Sequence, residues 1–225
     1  MAQLKLNLDL ERREEFTAAN GWNLDQYEAD LPDETPGEPL EHGSFDAART
    51  VMREYRFPPP DLITGIFLPD APLERRVMLL RARFLGFTFY FGVKISGVTD
   101  ELRDTDQGKE RVWGYRYATL EGHFERGQIE FLVAKNLSSG NVEFRIDAFS
   151  KTGVIRNPLY RIGFLLFGRR LQRRFARQSL KRMQQLVATT LQHGQKVGSA
   201  PEVKPASAEP AAQDKLETLM PQEKS

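Results

Sequence analysis

Between Ile63 and Ser150 apolar side chains fall at every second position, whereas outside that stretch they fall at helical spacing. Phe87, Phe89, Phe91, Val93 and Ile95 share one strand face, opposite Thr88, Tyr90, Lys94 and Ser96. Just before them, Met78, Leu80, Ala82 and Phe84 oppose Arg81 and Arg83. The alternation returns in Trp113, Tyr115 and Tyr117, in Ile129, Phe131 and Val133, and in Val142, Phe144, Ile146 and Ala148. Turn-forming residues separate these runs: Asp104 to Gly108, Glu121-Gly122-His123, and Ser138 to Asn141. Short links between one-sided strands predict an antiparallel meander with one face wet.

Helices are expected on both sides of the meander. Phe45, Ala48, Val51, Met52 and Tyr55 recur at helical spacing after Ser44, which suits an N-cap, and Pro58-Pro59-Pro60 stops the helix. A single long helix is predicted from about Pro158 to His193, with Asn157 as cap and Gly194 as stop. Phe164, Phe167, Leu171, Phe175, Met183 and Leu186 form its apolar side, and a helix this long needs a sheet to lie across. A helix over roughly 9–19 would be poorly amphipathic. Three prolines and two glycines break residues 31–43 into an irregular connector. The expected organisation is therefore an acidic N-terminal extension over 1–43, one α+β domain over 44–196, and a disordered tail over 197–225. The tail is rich in Ala, Pro, Glu and Ser and lacks the large apolar residues that would offset its ordering entropy.

Composition narrows the function classes. The chain has 225 residues, 40% of them hydrophobic, which fits one large domain. It has no cysteine, which excludes disulfide scaffolds, thiolate zinc sites and cysteine nucleophiles. His42, His123 and His193 are scattered, so no metal site is expected. No run of about 20 apolar residues is present, and the first residues lack the pattern of a secretory signal, so the expected location is cytoplasmic. Charge is unevenly spread: residues 1–48 carry a net −9, from twelve carboxylates against three basic residues. Residues 151–196 carry eleven Lys or Arg and no carboxylate. Attraction between the two ends is the simplest consequence.

The blocks Trp113-Gly114-Tyr115-Arg116-Tyr117-Ala118-Thr119-Leu120-Glu121-Gly122-His123, Glu143 to Ser150 and Phe167 to Arg174 resemble those of uncharacterised protein family 0548. Gly114, Tyr117, Leu120, Gly122, His123, Glu125, Gly127, Ala148, Phe149 and Ser150 match its Gly-Tyr/Phe-x-Tyr strand, its Leu-x-Gly-His-x-Glu-x-Gly turn and its Ala-Phe-Ser strand end. The resemblance covers roughly residues 44–185. One departure is Gln128, where members often carry a carboxylate. The order of elements also resembles the Bet v 1-like, START-like helix-grip fold. That resemblance implies a curved antiparallel sheet wrapped around one long C-terminal helix, with an apolar cavity between them.

Three sets of residues are candidates for function. Phe87, Phe89, Phe91, Trp113, Tyr115, Tyr117, Phe131, Phe144, Leu171 and Phe175 are expected to converge between sheet and helix, as a ligand cavity or as an ordinary packed core. His123, Glu125 and Tyr117 form either an acid–base cluster, with a carboxylate orienting a proton-moving imidazole, or a solvated turn. Arg169, Arg170, Arg173, Arg174 and Arg177 make either a solvated helix face or a contact for an anionic membrane surface, with Phe164 to Phe167 as an apolar wedge beside it. The leading expectation is a binder of a small apolar molecule, lipid- or isoprenoid-like, without a cofactor. An enzyme of cyclase or hydratase type using His123 and Glu125 is one alternative. Docking on anionic membrane or nucleic acid through the basic helix is another, although no specific nucleic-acid fingerprint accompanies it.

Overall fold

The computed structural model describes residues 5–84, 86–153 and 158–194, with side chains for all of these except 84, 158–167 and 194. The strands are β1 (Asn23–Leu31), β2 (Ile63–Ile66), β3 (Val77–Phe84), β4 (Phe87–Thr105), β5 (Gly108–Thr119), β6 (Glu125–Asn136) and β7 (Val142–Thr152). They form one antiparallel sheet in the order β1-β7-β6-β5-β4-β3-β2. Helices α1 (Ser44–Arg53) and α2 (Pro158–Gly194) pack on its concave face. The expected α+β arrangement, a curved sheet gripping one long C-terminal helix, is present. Its central strands follow the hairpin order because their links are too short for any other pairing. A register shift between Ile95 and Gly97 bends β4 against β5. A Cβ at Gly97 would lie 2.6 Å from Arg116 Nε, so any larger residue at the bulge would have to push that guanidinium aside.

The core lies between α1 and the middle of the sheet. Phe57 packs against Phe131 and Phe144 at ring-centroid distances of 4.7 and 5.3 Å. The Tyr115 hydroxyl donates to the Met52 carbonyl at 2.9 Å, so burial leaves it satisfied. On the convex face, Leu8, Phe16 and Trp22 pack over Ala118 and Phe149.

Several expectations change. The boundary at residue 43 falls inside the folded unit, because β1 completes the sheet along β7 from Asn23↔Ser150 to Leu31↔Val142. Its alternation was masked in the sequence: Leu24 points outward and is exposed, whereas the inward side carries Asn23, Asp25, Tyr27, Ala29 and Leu31. Instead of a helix over 9–19, two short 3-10 turns occupy Arg13–Glu15 and Ala18–Asn20. Ser44 is not the cap of α1; Gly43 is, and the Glu34 carboxylate accepts the Phe45 N–H at 2.8 Å. Helix α1 also ends at Arg53, before the proline triplet. The proposed Asn157 cap, the Phe164 to Phe167 wedge side chains and the tail over 197–225 lie outside the described residues or side chains. Among the described residues, no helix is long and apolar enough to cross a membrane.

Candidate functional site: a cavity between sheet and helix

Helix α1 fills only one end of the concave face. Inward residues there are large: Trp113 and Tyr115 on β5, Phe131 and Val133 on β6, Phe144 on β7. Towards the other end the same strands turn small or polar, with Thr119 on β5, Gly127 on β6, and Ala148 and Ser150 on β7. Across from them α2 presents Gly168 and Ala176 among Leu171, Gln172 and Phe175. Small side chains under the part of α2 that lies beyond α1 leave a cavity of about 540 Å³. Phe87, Phe89 and Phe91 on β4 form its aromatic wall, joined by Phe124. Phe87 is 55% exposed and marks the rim with Arg83.

A polar cluster occupies one wall. The β5–β6 turn, closed by Gly122 at φ +87°, places His123 and Glu125 on the cavity lining. His123 Nδ1 accepts the Glu125 N–H at 2.9 Å, so the neutral ring carries its proton on Nε2. Burial pushes this imidazole down to about 4. Burial pushes the Glu125 carboxyl up to about 7, with Arg169 opposing the shift and Asp25 adding to it. One Glu125 oxygen accepts from the Gln172 amide, which also reaches Ser150 Oγ at 3.1 Å. Arg169 forms a two-pronged pair with Asp25 at 2.6 and 3.0 Å. Tyr117 lies deeper, its hydroxyl 3.1 Å from that of Tyr55, and burial raises it to about 12.

The expected ligand set divides in two. Phe87, Phe89, Phe91, Tyr117, Leu171 and Phe175 line the cavity, whereas Trp113, Tyr115, Phe131 and Phe144 belong to the packed core under α1. Periodicity puts the eight strand residues on one sheet face and the two helical ones on one side of α2, but says nothing of where α1 ends. His123, Glu125 and Tyr117 all reach the lining of the cavity, so the turn is not simply solvated. His123 is engaged by the Glu125 backbone rather than by a carboxylate, and Glu125 is the group that titrates near neutrality. Arg170, Arg173, Arg174 and Arg177 are exposed, while Arg169 is committed to Asp25. Asp25 and Gln172 carry no signal in the sequence, and Ser150 stands there only as the end of the Ala-Phe-Ser block. Asp25 sits in a strand whose pattern was masked, and Gln172 sits among arginines. Among the described residues, no group of three or more His, Asp or Glu is placed to hold a metal ion.

The model of a family described as a domain of unknown function, DUF1990, matches residues 9–182. The chain belongs to the DUF1990 family. That match takes in β1 and the acidic N-terminal segment, so the family region begins well before residue 44. No curated protein matches this DUF1990 chain. Among solved structures it is similar to Ara h 8.0201, at 11% identity and a TM-score of 0.45, over 75% of this chain and 99% of that one. It is also similar to TTHA0849 from Thermus thermophilus, at 8% identity and a TM-score of 0.44, over 74% and 98% of the two chains. A third likeness is to a point mutant of Thalictrum norcoclaurine synthase in complex with a transition-state analogue. It has 11% identity and a TM-score of 0.43, over 77% of this chain and 96% of that one.

Proposed function

We propose that this protein binds a small hydrophobic molecule in the cavity between sheet and α2. The carrying observation is the cavity itself: about 540 Å³, walled by phenylalanines and leucines, with its polar groups gathered on one side. That volume lies within the range of ligand pockets, about 300–1,000 Å³, and a few grouped polar atoms in an apolar wall are what orients a ligand. Water gains little against the apolar part of the wall, because it needs two to four polar partners.

Dye displacement tests the reading. An environment-sensitive apolar dye should bind the folded protein and be displaced by a medium-chain lipid. Ala148→Phe, which fills the space from β7, should abolish binding while the protein stays folded. Paired truncations give a second check. Phe131→Ala, in the filled core, should cost about 3–5 kcal/mol. Phe89→Ala, on the cavity wall, should cost clearly less and weaken dye binding. Dye fluorescence that rises only on heating, with no displacement, would identify the space as a packing defect.

A further inference from the structure

The polar wall also bears on the ligand's head group. We propose that the occupant joins an apolar body to a cationic amine, seated against the Glu125 carboxylate and the neighbouring aromatic faces. This rests on the cavity-binding reading and adds a chemical class to it.

Among the described residues, that wall sets two carboxylates, Asp25 and Glu125, against one partly buried guanidinium, Arg169. From β1, Asp25 is committed to Arg169 and also accepts the Tyr27 hydroxyl at 3.3 Å. From α2, Arg169 is thereby matched, and Gln172 Oε1 accepts from it at 2.9 Å. Arg173, also on α2, is exposed, as is Arg83 of β3 at the rim. From the β5–β6 turn, His123 is held neutral, and from β5 the Tyr117 hydroxyl keeps its proton. Glu125 is left with a neutral amide as its hydrogen-bond donor on one oxygen. Its other oxygen has no hydrogen-bond partner among the described residues. An ionised carboxylate in an apolar cavity is costly unless paired. An ammonium head supplies the missing charge and up to three donors. A ligand carboxylate would face repulsion there, and a hydroxyl would supply a hydrogen bond without a charge.

The rest of the wall suits a cation independently. Phe91 packs against His123 and Phe124 at ring-centroid distances of 4.6 and 5.0 Å, and Phe89 lies 5.8 Å from Phe124. The turn that carries Glu125 thus shares the cavity lining with a cluster of rings, and ring faces attract a desolvated cation.

The test uses octylamine, octanol and octanoate as competitors of the bound dye, at pH 8 and pH 5, on wild type and Glu125→Gln. An alkylamine stays cationic at both pH values, since an ordinary ammonium releases its proton near about 10.4. Glu125 is ionised above about 7 and neutral below it. At pH 8, wild type should therefore bind octylamine at least about tenfold more tightly than octanol, with octanoate weakest. The preference should fall towards parity at pH 5, and E125Q should show parity at both. If E125Q fails to fold, the wild-type pH series decides alone. Octanol or octanoate displacing the dye as well as octylamine at pH 8 would refute the amine class while leaving the cavity reading intact, as would an E125Q variant that keeps the full preference. Displacement by none of the three would defeat the cavity reading itself.

Discussion

Glu125 and His123 sit two residues apart, yet burial moves them in opposite directions, which gives stability two opposing pH slopes. The folded carboxyl holds its proton up to about 7, against 4.5 for an unburied glutamate. Between those values the folded state binds more protons than the unfolded one. Stability is therefore lost as pH rises through that window. The imidazole behaves inversely: its folded value is about 4 against 6.5, so stability is lost as pH falls from 6.5 to 4. In wild type the two slopes largely offset each other from about 4.5 to 6.5. Each single variant should expose the other residue's slope, on the order of 2–3 kcal/mol across its window. Glu125→Gln should become steeply acid-sensitive below pH 6.5. His123→Asn, which keeps an acceptor for the Glu125 N–H, should lose stability between pH 4.5 and about 7. Urea melts at pH 4, 5.5 and 7.5 measure both, and parallel slopes in the two variants would contradict the assignment.

At the scale of elements, a buried ion pair joins the 32–43 connector to the sheet and holds the start of α1. Lys135, fully buried on β6, donates to Glu34 Oε2 at 2.8 Å and to the Glu38 carbonyl at 3.0 Å. The other Glu34 oxygen takes the Phe45 N–H. Lys135→Met would leave that carboxylate buried without its countercharge, and the expected loss is about 3–5 kcal/mol. A loss below about 1 kcal/mol would mean that Glu34 escapes to water. The basic face of α2 should respond differently. Arg170, Arg173 and Arg177 are exposed, so their joint replacement by Gln should change stability by no more than about 1 kcal/mol. Arg169→Gln alone should cost more than any one of these, because it strips the pair from Asp25, whose side chain is largely buried. Comparing denaturant midpoints of these variants reads the difference directly.

Considered whole, the molecule has a layer on each side of its sheet. The segment from Lys5 to Trp22 covers part of the convex face, with Leu8 and Trp22 buried. Its Asn7 also reaches the wall of the cavity: Nδ2 donates to the Glu125 carbonyl at 2.8 Å, and Oδ1 accepts the Thr119 hydroxyl at 2.6 Å. The turn that presents His123 and Glu125 is thereby fixed from behind. Deleting residues 1–22 should lower stability by at least about 3 kcal/mol, since two buried large side chains each contribute about 1.5–3 kcal/mol. The same deletion should weaken dye binding. An unchanged melting curve would show that the convex layer is dispensable.

The sequence by itself determined the meander, the long C-terminal helix and the face on which Phe89, Tyr117 and Phe131 lie, because period and turn chemistry are local properties. It also carried the His123 and Glu125 turn in a recognisable block. It did not disclose β1, whose first large apolar residue, Leu24, points outward while Tyr27 and Leu31 point in; that strand is defined by its pairing with β7. Nor did it separate Tyr117 from Tyr115, two residues apart on one face. One meets the cavity and the other the core, because α1 is ten residues long and covers only part of the concave surface. The titration of Glu125 was likewise decided by tertiary structure. Burial, the Asp25 and Arg169 charges and the Gln172 amide all come from elements more than 40 residues away in the chain or from the closing of α2 over the sheet. Local patterning fixes which face a residue takes; where that face is filled, left empty or charged depends on what the rest of the chain brings against it.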